Sequence, residues 1–134
     1  MSARIYRLPL LQEGGTIVLN ASTAGLQGAA GFSVYAASKA AVRNLARGWA
    51  TDLKDRKIRV NVVSPGTVVT PGYKTGGMTE EQIKGFAAHM ATLNPLGRTG
   101  ETDEIAKAVV FLASDDSSFV NAAELVVDGG MTQV

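Results

Sequence analysis

Three side chains in this sequence are spaced for proton transfer: Ser22, Tyr35 and Lys39. Tyr35 and Lys39 stand four apart in Tyr35-Ala36-Ala37-Ser38-Lys39, so on a helix they lie one above the other. An ammonium about 5 Å from a phenol oxygen attracts its ionised form by roughly 3 kcal/mol at an effective dielectric of about 20. A phenol so placed is suited to give and take a proton near neutral pH. Ser22 lies thirteen positions before Tyr35, after the apolar run Thr16 to Leu19. A hydroxyl at the C-terminal end of a buried strand points into the crevice where open α/β sheets bind ligands. Taken singly, Ser22 reads as a strand-end cap and Tyr35 as a half-buried amphipathic residue.

The elements that must hold these groups follow from periodicity. Thr16-Ile17-Val18-Leu19-Asn20 is apolar on both faces, as a parallel strand is. A long helix is predicted from about Phe32 to Asp55, with Ala41, Leu45, Trp49 and Leu53 as its packed stripe. Trp49 there reads as packing or interface. Ile58 to Val63 is the second strand, ended by Ser64-Pro65-Gly66, which turns the chain out of the sheet. Val68 to Met78 reads as a glycine-containing loop, either a substrate lid or a plain surface loop. Thr79-Glu80-Glu81-Gln82 is a capping box, and the helix it opens ends before Pro95. Thr102-Asp103-Glu104 opens the last helix, with Ile105, Val109 and Leu112 on its buried side. Leu125-Val126-Val127 is the third strand. Strand, helix, strand, helices, strand is βαβ logic and predicts a parallel sheet.

In this order Ser22, Tyr35-x-x-x-Lys39, Ser64-Pro65-Gly66 and Thr70 resemble the second half of a short-chain dehydrogenase/reductase. The resemblance runs from about Leu8 to the C-terminus. It includes Pro95-Leu96-Gly97-Arg98, Glu104-Ile105-Ala106, Phe111-Leu112-Ala113-Ser114 and Val127-Asp128-Gly129-Gly130. Tyr-x-x-x-Lys alone is a weak signal; the ordered set over this length is strong. The resemblance implies Tyr35 as general acid/base for hydride transfer between a nicotinamide and a carbonyl or alcohol carbon. It implies Lys39 as the tuning residue that also binds the nicotinamide ribose, and Ser22 as the residue that orients the substrate oxygen. Pro65, Gly66, Val68 and Thr70 match the segment along the nicotinamide end of NAD or NADP. Asn121-Ala122 stands where the family usually has threonine and glycine, at a turn given little functional weight.

Other classes are poorly supported. Thirteen basic and twelve acidic residues give a net charge of +1 without long runs of one sign, which argues against nucleic acid or a membrane surface as partner. There is no cysteine, hence no disulfide or thiolate metal site, and a cytoplasmic setting is expected. No apolar stretch reaches membrane-spanning length. His89, the lone histidine, reads as a solvent-facing helix residue, so no metal site is expected. Gly25, Gly28 and Gly31 do not have the dinucleotide spacing and read as a permissive loop.

The sequence contains no glycine-rich phosphate turn of the dinucleotide type. The expected fold class is therefore α/β, a partial Rossmann-like (doubly wound) domain over residues 1–134. About three parallel strands and flanking helices are expected, with the N-terminal nucleotide-binding half missing. Such a piece would leave Thr16 to Asn20 as a bare edge. It would then pair with a copy of itself or with an N-terminal half. The two functions that follow are an oxidoreductase on a small carbonyl or alcohol, inactive as an isolated fragment, or a catalytically silent oligomerisation partner of full-length relatives.

Overall fold

A computed structural model describes residues 10–28 and 30–134. Leu8, where the resemblance begins, lies outside the described residues. Leu11 packs against the core, whereas Leu10 is 79% exposed and does not.

Three parallel strands form one sheet in the order β1-β2-β3: β1 is Thr16–Asn20, β2 Arg59–Pro65 and β3 Glu124–Val127. β1 pairs with β2 from Thr16↔Arg59 to Asn20↔Val63, and β2 with β3 from Val62↔Glu124 to Pro65↔Val127. β2 is central and nearly all buried, as its run Val60 to Val63 requires. Among the described residues β1 has a neighbour on one side only, the expected bare edge.

Helix α1 (Ser33–Asp52) crosses from β1 to β2 and ends in a short 3-10 turn, Lys54–Arg56. Ala46, Ala50 and Leu53 are buried against Ile58, Val60 and Val62, with Val42 and Trp49 packed around them. The expected stripe is thus half right. Ala41 and Leu45 face solvent, because α1 is apolar on two sides and the small Ala46 and Ala50 let it approach the sheet. Fully burying a side chain such as Ile58 contributes roughly 1.5–3 kcal/mol.

Successive side chains of β2 alternate in direction. With Val60 and Val62 towards α1, Arg59 and Asn61 point towards α4 (Thr102–Ala113). Arg59 satisfies the end of α4, donating to the carbonyls of Leu112 (3.2 Å) and Ser114 (2.9 Å) and to Ser117 Oγ (2.9 Å). Asn61 is fully buried; its amide donates to Val120 O (2.8 Å) and its Oδ1 accepts from Ala123 N (3.0 Å). Asn121 has more weight than its turn suggests: its Oδ1 accepts from Val60 N at 2.9 Å, and Ala122 beside it is left-handed, φ 55°.

Between β2 and α4 the chain makes an excursion. The segment expected as loop contains a short helix, α2 (Pro71–Thr75), because Pro71 falls at a first-turn position where its ring is tolerated. Helix α3 (Glu80–Leu93) starts with the expected capping box, Thr79 with Gln82. A bridge between Val68 and Gly100 closes the excursion at its base. The cap of α4 falls one residue before the expected opening, at Glu101, which forms a capping box with Glu104.

Candidate active site

The site grows from the C-terminal end of β1. Ala21 N donates to Val63 O (2.9 Å), which prolongs the pairing past Asn20. Ser22 is extended (φ −169°) and caps the 3-10 turn Thr23–Gly25, its Oγ accepting from Ala24 N at 3.2 Å. The cap uses a lone pair of the hydroxyl and leaves its proton for another acceptor. Gly25 carries this turn onto α1: a β-carbon there would come within 2.9 Å of Ala40 N and 3.1 Å of the Lys39 carbonyl carbon. The loop is therefore more than permissive. Close backbone approach requires the glycine.

Tyr35 and Lys39 lie one turn apart on α1, with Lys39 Nζ 5.6 Å from the Tyr35 ring centre. Nζ donates to Asn20 O at 3.2 Å, tying helix to strand end and leaving two of its protons uncommitted. Phe32 meets the Tyr35 ring edge-on, centres 6.2 Å apart and planes at 79°, which restrains the phenol. The Tyr35 hydroxyl has no hydrogen-bond partner among the described residues.

The end of β2 supplies the next wall. Gly66 N donates to Val127 O (3.0 Å), and a β-carbon on Gly66 would lie 2.6 Å from Asp128 Cβ. Asp128 in turn accepts from Gly130 N, Thr132 N and Thr132 Oγ1 at 2.7–2.9 Å. Burial pushes its carboxyl up, but these hydrogen bonds outweigh burial and leave it below the ordinary aspartate range.

Ser22, Tyr35 and Lys39 line one cavity of about 610 Å³. Pro65, Gly66, Val68 and Thr70 line the same cavity, so all the residues expected at the site meet there. Sequence reasoning missed Tyr73 on α2, which also lines it. Its ring rests on Phe86 of α3, centres 5.5 Å apart. Burial first, and Tyr35 second, hold its phenol above the ordinary tyrosine value. The Tyr-Lys pair announces itself by spacing, whereas Tyr73 has no partner at a regular interval. The exposed His89 on α3 is not part of the lining.

The nicotinamide end of a dinucleotide fits the donors on this wall. Two protons of Lys39, the Tyr35 hydroxyl and the Thr70 hydroxyl, which caps nothing, stand uncommitted around a space of sufficient size. The sequence offers no glycine-rich turn for the pyrophosphate.

A parallel sheet flanked by helices, with its cavity beyond the C-terminal strand ends, defines a Rossmann-like doubly wound domain. The family model described as enoyl-(acyl carrier protein) reductase matches residues 2–132. The oxidoreductase asL5 of Sarocladium schorii is 47% identical over 129 residues, 95% of this chain and 50% of that protein. A cyclopentanol dehydrogenase of a Comamonas species is 45% identical over 120 residues, 88% of this chain and 46% of its own length. The crystal structure of a Caenorhabditis elegans short-chain dehydrogenase/reductase of unknown function, solved with cofactor, superposes with a TM-score of 0.84 at 36% identity. It covers 90% of this chain and 46% of the other. The chain belongs to the short-chain dehydrogenase/reductase family, whose members are NAD(P)-dependent oxidoreductases. It spans about half the length of the curated relatives it matches. Among the described residues no helix is long and apolar enough to cross a membrane.

Proposed function

We propose that this chain carries the proton-handling and nicotinamide-facing part of an NAD(P)-dependent oxidoreductase acting on a small alcohol or carbonyl compound. The observation that supports this reading is the meeting of Ser22, Tyr35 and Lys39 with the Pro65–Thr70 wall in one cavity. Tyr35 takes the proton of an alcohol oxygen as the carbon is oxidised, or returns it to a ketone oxygen in the reverse direction. Ser22 gives its free hydroxyl proton to the same oxygen and holds it at Tyr35. Lys39, fixed to Asn20, keeps a positive charge beside the phenol. Lys39, Tyr35, Val68 and Thr70 would hold the nicotinamide end of NAD or NADP. When bound, that group supplies the hydride acceptor or donor. Full activity also requires a pyrophosphate-binding part, for which this sequence offers no glycine-rich turn, since positioning accounts for much of the rate.

A second reading rests on exposed apolar surface. Val34 (83% exposed) and Leu45 (38%) on α1, and Val110 (65%) on α4, make association with a second copy, or with a longer relative, the chain's function. Fluorescence titration with NADH and NADPH separates the two. Saturable binding that Lys39→Met abolishes supports the oxidoreductase. No binding, with sedimentation as a dimer at low micromolar concentration, overturns it in favour of association.

A further inference from the structure

The cavity continues past Tyr35 to a wall formed by α2, and the chemistry of that wall narrows what it can hold. Among the described residues Lys39 is the only charged side chain lining the cavity, and it stands at Tyr35, with one of its protons given to the Asn20 carbonyl. A carboxylate, phosphate or sulfonate placed towards α2 would meet no opposite charge on that wall, whereas a neutral oxygen needs only a hydrogen-bond partner. Met78 and Ile105 instead offer apolar contact for a carbon skeleton.

Tyr73 is the polar exception on this wall. Its ring is steadied by Phe86, and its hydroxyl has no hydrogen-bond partner among the described residues. A partly buried phenol of this kind finds its partner in a ligand or in water. A tyrosine is protonated at neutral pH, and burial and Tyr35 push this one further in that direction, so it is available as a donor.

We propose that the cavity binds an uncharged alcohol or ketone carrying a second neutral oxygen, and that Tyr73 is the specificity-determining residue that hydrogen-bonds this second oxygen. The inference rests on the oxidoreductase reading, in which Tyr35 and Ser22 receive the first oxygen. A compound lacking the second oxygen leaves the Tyr73 hydroxyl unmatched, and selectivity arises from that mismatch.

The test uses the whole chain labelled with 3-fluorotyrosine. Its three tyrosines give three fluorine resonances, assigned with Tyr→Phe variants. Three probes are titrated: 2-hydroxycyclohexanone, cyclohexanone and 3-oxocyclohexanecarboxylate. The hydroxyketone is expected to move both the Tyr35 and Tyr73 signals and to bind about fivefold more tightly than cyclohexanone, as one neutral hydrogen bond implies. The carboxylate is expected to bind weakest. Tyr73→Phe is expected to bring the two neutral ketones within about twofold of each other, with the Tyr35 signal at its original position as the check on folding. Equal affinities in the unsubstituted chain, an advantage that survives Tyr73→Phe, tighter binding of the carboxylate, or a Tyr73 signal that none of the probes moves would each overturn the proposal. NADH is added separately. If it leaves the Tyr35 signal unmoved while ketone selectivity persists, the oxidoreductase reading fails and the Tyr73 assignment stands.

Discussion

Lys39 on α1 and Asn20 at the end of β1 are joined by one hydrogen bond, Nζ to carbonyl oxygen at 3.2 Å, and Gly25 packs on the Lys39 backbone beside it. The bond and the contact together set the distance between the Ser22 turn and the Tyr35 phenol. The site is therefore sensitive to any bulk inserted at Gly25.

Gly25→Ala forces a β-carbon into the α1 backbone, so either the turn or the helix must shift. The expected loss is about 1–3 kcal/mol of stability, typical of overpacking where backbone is the neighbour. Urea denaturation measures it. A change below about 0.3 kcal/mol would mean that the turn does not bear on the helix.

Ala122 is held at φ 55°, a conformation costly for any residue with a β-carbon. Ala122→Gly removes that cost and adds a smaller one in unfolded-chain entropy. The expected gain is about 1 kcal/mol, read as a higher urea midpoint. An unchanged or lower midpoint would contradict it.

Glu124 on β3 joins two elements. Its side chain is 10% exposed, accepts from the fully buried Ser64 Oγ at 2.6 Å and pairs with Arg43 on α1. Glu124→Ala strands the Arg43 charge and the Ser64 hydroxyl and is expected to cost about 3 kcal/mol. Glu124→Gln, which keeps an acceptor for Ser64, is expected to cost less than half as much. Equal costs for the two substitutions would show that the charge contributes nothing beyond the hydrogen bond.

Much of this was legible in the sequence, for physical reasons particular to each element. Tyr35 and Lys39 declare themselves because four residues is one helical turn, and Thr79 with Gln82 because a capping box is local. The three strands are legible because a parallel sheet buries both faces. What escaped is long-range. Arg43 and Glu124 meet only after two crossovers, and Tyr73 gains its significance from Phe86 and from the cavity. Ala41 and Leu45 misled because an alanine-rich helix with two apolar sides does not say which one meets the sheet.

Acid should loosen the base of the α2–α3 excursion. Arg98 donates to both carboxylate oxygens of Glu104 (2.8 and 2.7 Å), and with the Glu101 backbone N–H it holds this carboxyl at about 2. Hydrogen bonds from Thr132 and Gly130 likewise keep Asp128 low against the effect of burial. Both native values lie below the unfolded carboxylate range of about 4. Their stabilisation is therefore present above that range and is lost as pH falls through the native values, which for Glu104 means towards 2. Arg98→Met returns Glu104 towards its ordinary value, so the difference between urea midpoints at pH 3 and pH 7 should shrink. An unaltered difference would place the acid sensitivity elsewhere.

Saturation-transfer NMR of NADH mixed with the chain tests the central claim most directly. Saturation is expected on the nicotinamide and adjoining ribose protons, with little on adenine. Lys39→Met should erase it while the variant melts at the temperature of the parent. Saturation centred on adenine, or a nicotinamide signal that survives in both Lys39→Met and Tyr35→Phe, would contradict the account.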